Sequence, residues 1–141
     1  IHYLIWITIM SCFLLYKIYK LIKKITYITF HNQVMICFSF LSMLIGSYLP
    51  YDPNHENIIS ILHIILSSLG ALSLLIIIQI LINRIILVDL IFYKKMTMIY
   101  RSLILMLGMF IIMFGSINSI VELFFTFTVL ISLNEIEKYF K

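Results

Sequence analysis

Apolar residues run along this chain in five long blocks, separated by short polar or charged stretches. The blocks are continuous and lack a two-residue alternation, so they fit helices and not the strands of a membrane barrel. A hydrocarbon core about 30 Å thick is crossed by roughly 20 helical residues rising about 1.5 Å each. On that scale the pattern predicts helices over about 3–22, 28–49, 57–82, 98–117 and 120–137. The first ends in Lys17, Lys20, Lys23 and Lys24, and the second enters through His31, Asn32 and Gln33. Arg84, Asp89, Lys94 and Lys95 mark the exit of the third into water.

The strongest loop signal is 50–57, where Pro50 and Pro53 accompany an Asp/Asn cluster able to cap the helix that follows. One uninterrupted helix over 101–133 would measure about 50 Å, far beyond the hydrocarbon thickness. Gly115, Ser116, Asn118 and Ser119 therefore read as a tight hairpin turn that supplies the next N-cap.

Composition fixes the solvent. Of all residues 63% are hydrophobic and 11% charged, against about 25% charged in an ordinary soluble domain. A water-soluble fold of 141 residues keeps too much surface exposed to hide that load. The expectation is an all-α fold, a polytopic transmembrane helical bundle of about five helices forming one transmembrane domain over 1–141.

Charge then adds direction. All 10 basic residues fall at the ends of helices one, three and five. They are Lys17, Lys20, Lys23 and Lys24; Arg84, Lys94, Lys95 and Arg101; and Lys138 and Lys141. The alternate loops carry none, and one of them holds Asp52 and Glu56. Under the positive-inside rule the basic face is cytoplasmic, which places the N-terminus of this chain outside and its C-terminus inside. A bacterial cytoplasmic membrane is the expected location.

The net charge of +4 does not point to nucleic acid, because the cations cluster between apolar blocks and are not spread along a polar face. Cys12 and Cys37 lie inside apolar blocks with no CxxC spacing, which indicates neither a disulfide framework nor a zinc site. No cofactor is expected. Haem would need two histidines at matching depth, and His31 and His63 fall toward opposite ends of their helices. Expected partners are the bilayer itself and other membrane proteins, a second copy of the chain included.

Packing in lipid relies on small residues that let backbones approach. Helix two offers Ser39, Ser42 and Gly46; helix three Ser60, Ser67, Gly70 and Ala71; helix four Gly108, with Gly115 seven residues on. His63 and Glu122 stand out as ionisable groups within apolar blocks, where such groups are costly and turn toward the bundle interior. Both follow the outer starts of their helices, so they could share a depth and pair. That pair could handle protons, or it could be a polar clasp that orders the bundle. Asp52, His55 and Glu56 form an outward cluster of metal-capable groups, although Asp-Pro-Asn serves equally well as turn chemistry.

Gly46-Ser47-Tyr48-Leu49-Pro50, a short acidic outer loop, a helix with an early His63 ahead of Ser67 and Gly70-Ala71, and a last helix opened by Glu122 together carry a family resemblance. Over about 35–141 the chain resembles the small six-helix membrane proteins of the DRAM-like family and related uncharacterised bacterial families. The matching positions are Pro50, His63 and Glu122. The family has six spans where five are read here. A missing first helix would explain both the Ile1 start and the outward N-terminus, so the sequence is expected to be a fragment. The resemblance implies a membrane location with a lipid or regulatory role, not a reaction.

The leading functional expectation is a non-enzymatic bundle that interacts with lipid or partner proteins. The other is a membrane-embedded enzyme or transporter-like protein, using His63 and Glu122 for proton transfer or Asp52, His55 and Glu56 for a metal.

Overall fold

The computed structural model describes residues 2–25, 30–51, 57–114 and 119–139, without the side chains of residues 2–4, 6, 25 and 119. Five helices account for nearly all of these residues: α1 (His2–Ile25), α2 (Phe30–Tyr48), α3 (Ile58–Ile85), α4 (Leu90–Phe114) and α5 (Ser119–Tyr139). The chain is all-α, and no strand occurs among the described residues. Among the described residues, three helices are long and apolar enough to cross a membrane: α2, α3, whose most apolar 18-residue stretch has a mean hydropathy of 2.5, and α4, where that stretch has 1.9.

The helix starts follow from their caps. Asn57 Oδ1 accepts the Ser60 amide at 2.7 Å and opens α3, satisfying one of the amides that a helix start leaves without a partner. Asp89 Oδ1 does the same for the Phe92 amide at 2.9 Å. Asp89 thus starts α4 at Leu90, whereas the sequence pattern placed the start near 98. The charged run Arg84, Asp89, Lys94, Lys95 looked like one aqueous loop. Only the turn around 86–89 is non-helical, and Lys94 and Lys95 ride on the first turns of α4.

Contacts divide the chain into two compact units, Ile1–Lys23 with Tyr27–Ile77, and Lys24–Thr26 with Ile78–Lys141. In the first unit α1 buries Ser11, Leu14, Ile18, Leu21 and Ile22, one stripe at helical spacing. Its α2 buries Ile36, Ser39, Phe40, Ser42 and Gly46. The second unit holds a hairpin of α4 and α5, in which the Phe110 and Phe124 rings meet at 4.8 Å. The α5 stripe there is Val121, Thr128, Val129, Ser132, Leu133 and Ile136.

Hydroxyls along these apolar helices bond one turn back on their own helix. Ser47 donates to the Met43 carbonyl, Ser73 to Leu69, Thr128 to Phe124 and Ser132 to Thr128, all within 2.9 Å. Such back-bonding leaves the hydroxyl satisfied without a neighbour, so small polar residues can sit on faces that meet no water.

Candidate functional site

The small residues of α2 and α3 bring two backbones together within the first unit. A Cβ placed on Gly46 would lie 2.5 Å from Ser67 Oγ and 2.9 Å from Ser67 N. One placed on Gly70 would lie 2.9 Å from Met43 N and 3.0 Å from Ser39 O. Ordinary carbon contacts begin near 3.5 Å, so only glycine fits at either place. Ser39 Oγ donates to the Gly70 carbonyl at 2.9 Å across this junction. Ser42 and Ser60 are also buried, while Ser67 and Ala71 are half-buried. Gly108 differs, since nothing lies within 4 Å of a Cβ built there. Its place is on an open side of α4, beside the exposed Met109 and Ile112. Gly115 lies outside the described residues.

His63 sits above this junction, in the second turn of α3. Its Nδ1 is 3.0 Å from the Leu49 carbonyl, and its ring stacks on Tyr51 at 5.3 Å and 21°. Side chains on a helix lean toward its N-terminus, so His63 reaches back to the loop that precedes its own helix. Leu49 lies just past the last residue of α2, where carbonyls have no intrahelical partner. With Nδ1 donating to that carbonyl, His63 ties the end of α2 to the start of α3. The remaining ring nitrogen, Nε2, is then the acceptor of the neutral imidazole. Such a nitrogen can ligate a metal, and an imidazole whose other nitrogen is held by a carbonyl is well oriented for it. The stacking of Tyr51 on His63 had no signal in the sequence.

Glu122 is exposed in the first turn of α5, where a negative charge complements the helix dipole. Its carbonyl accepts from Thr126 Oγ1 at 2.9 Å. His63 belongs to the first unit and Glu122 to the second. Pro50 is exposed just beyond α2. Asp52, His55 and Glu56 lie outside the described residues. Among the described residues, no group of three or more His, Cys, Asp or Glu side chains could hold a metal ion.

The second unit has a polar clasp of its own that the sequence reading did not anticipate. Tyr139 OH donates to Asp89 Oδ2 at 3.1 Å, and the Tyr139 ring stacks on Phe92 at 4.0 Å and 11°. The Phe92 amide holds the Asp89 carboxyl below its ordinary value, against a smaller opposing effect of burial. One carboxylate therefore caps α4 with one oxygen and anchors the end of α5 with the other. Nearby, Lys138 Nζ meets Glu135 Oε1 at 2.6 Å. Asp89 could have been found as an N-cap, being an acid directly before an apolar run. Tyr139, which is 50 residues away in sequence, could not.

Comparison with family models, with curated proteins and with solved structures finds no match to this chain.

Proposed function

We propose that this chain is a multi-pass integral membrane protein, a non-enzymatic bundle that works through contacts with lipid or partner proteins. The observation that carries this reading is α3. It is 28 residues long, its most apolar 18-residue stretch has a mean hydropathy of 2.5, and its first turns expose Ile58, Ile59, Ile61, Leu62, Ile64 and Ile65 on successive faces. At about 1.5 Å per residue it measures about 42 Å, enough for the hydrocarbon core with Arg84 left at the boundary. In water such a surface would drive aggregation; in lipid it is the expected exterior.

The side-chain lean supports the basic face as one side of the membrane. In α4 the N-terminal end carries Lys94 and Lys95, so Arg101 leans back toward them and can snorkel to the same boundary. The positive-inside rule makes that side cytoplasmic. The pattern around Pro50, His63 and Glu122 that resembles the DRAM-like family favours a lipid or regulatory role in the same direction.

Extraction of membranes at alkaline pH tests the reading, together with maleimide labelling of Cys12 and Cys37, both exposed on their helices. The chain stays in the pellet, and both thiols resist an aqueous maleimide until detergent is added. Release into the supernatant with both thiols reactive would falsify the membrane assignment.

A further inference from the structure

We propose that Gln79 and Asn83, an amide pair on the exposed side of α3, form the contact through which two parallel copies of this chain associate in the membrane. This rests on the membrane reading above and adds the partner to it.

Helical geometry sets the position. At about 100° per residue, Gln79 and Asn83 lie roughly 40° apart on one side of α3. The buried Ile78, Leu81, Ile82 and Ile85 occupy a separate arc centred roughly 130° away. Gln79 is half-buried and Asn83 exposed. Ile76, also exposed, lies one turn earlier on the same side as the amides. With Arg84 at the boundary, Gln79 falls about 7.5 Å inside the hydrocarbon at about 1.5 Å per residue.

The amides are only partly matched there. Gln79 Nε2 donates to Asn83 Oδ1 at 2.7 Å, and neither side chain makes a further hydrogen bond among the described residues. Each carboxamide carries one acceptor oxygen and two N–H donors. Gln79 Oε1, its second N–H and both N–H groups of Asn83 are therefore left over. Hydrocarbon offers them nothing, which makes an amide facing lipid costly. The exposed side of α4 is different, because Met109 and Ile112 match lipid chains as they stand.

Complementarity selects a second copy as the occupant. An amide pair holds both donors and acceptors, so it complements itself. Gln79 Oε1 of one copy accepts an amide N–H of the other, and two-fold symmetry makes every such bond twice. Copies inserted in the same direction also carry the pair at the same depth, so the two amide layers meet without any shift along the helix. Interhelical bonds of this kind strengthen association of model membrane helices by about 5–30-fold.

The test uses the full chain, tagged with a donor or an acceptor fluorophore at its N-terminus and reconstituted in phosphatidylcholine vesicles over a series of protein-to-lipid ratios. Wild type should show energy transfer that rises with protein density. Q79L/N83L should need about 5–30-fold higher density for the same transfer, while Q79N/N83Q, which keeps both amides, stays close to wild type. Circular dichroism checks that each variant remains helical. In a chain whose Cys12 and Cys37 are replaced by serine, I76C should form a disulfide with its counterpart under oxidation, and M109C should not. Wild type that resists alkaline extraction from the vesicles yet shows no transfer at any density overturns self-association, leaves the membrane reading standing and assigns the amides to a different protein. A chain that alkali strips from the vesicles overturns the membrane reading itself. Transfer unchanged by Q79L/N83L, or crosslinking of M109C and not of I76C, overturns the proposal.

Discussion

Gly46→Ala, Gly70→Ala and Gly108→Ala make the same chemical change at three places and should diverge. At Gly46 the new carbon arrives 2.9 Å from Ser67 N, and at Gly70 it arrives 2.9 Å from Met43 N. Both obstacles are backbone, so no rotamer change relieves them. The helices must separate by roughly half an ångström or more to restore ordinary contact. Overpacking of this kind costs about 1–3 kcal/mol. At Gly70 the separation also stretches the Ser39 Oγ–Gly70 carbonyl bond of 2.9 Å, worth about 0.6 kcal/mol between membrane helices. Against this, Gly→Ala inside a helix gains up to about 1 kcal/mol. With the full propensity gain the net is a loss of up to about 2 kcal/mol at Gly46, and somewhat more at Gly70. At Gly108 nothing lies within 4 Å, so only the propensity term remains and the substitution is neutral or stabilising. Reversible unfolding in mixed detergent, followed by circular dichroism, reads all three. If Gly46→Ala and Gly70→Ala unfold together with Gly108→Ala, the close α2–α3 junction is wrong.

Three further outcomes follow from named contacts. His63→Ala and Tyr51→Leu each destabilise the first unit by about 1 kcal/mol, and a double-mutant cycle gives a coupling of about 0.5–1.5 kcal/mol for the stacked rings; additive effects would break the clasp. Thr97→Val removes a buried hydroxyl that has no hydrogen-bond partner among the described residues, and should stabilise the chain by about 1 kcal/mol in the same unfolding assay, with a loss refuting it. The Asp89 carboxyl titrates below its ordinary 3.8, so its stabilising effect is fully present above the unfolded value and is lost as pH falls through the lower folded one. Asp89→Asn keeps a capping oxygen and should flatten that acid limb of a stability–pH curve, whereas an unchanged limb would assign it to other carboxylates.

The helices were legible in the sequence because each apolar block is long and uninterrupted, and α2 and α3 follow their blocks closely. The start of α4 was not, because the cue of charge overrode the cue of capping. Lys94 and Lys95 look like loop residues, yet a lysine on the first turn of a membrane helix is as hydrated as one in a loop. The small residues Ser39, Ser42 and Gly46 were legible from three- and four-residue spacing. Gly108 shows the limit of that cue, since spacing says nothing about which side of a helix has a neighbour. His63 was visible as an odd residue in an apolar block. Its partners were not, because one is a backbone carbonyl 14 residues earlier, and every residue has one of those.

The central inference is that α3 crosses the bilayer and separates the Pro50 loop from the basic face. Cysteine accessibility tests it most directly, with Y51C and K95C placed singly in a chain whose Cys12 and Cys37 are replaced by serine. In sealed vesicles of known sidedness, a membrane-impermeant maleimide should label Y51C from the outer face and K95C only after permeabilisation. Labelling of both from one face would mean that α3 does not span.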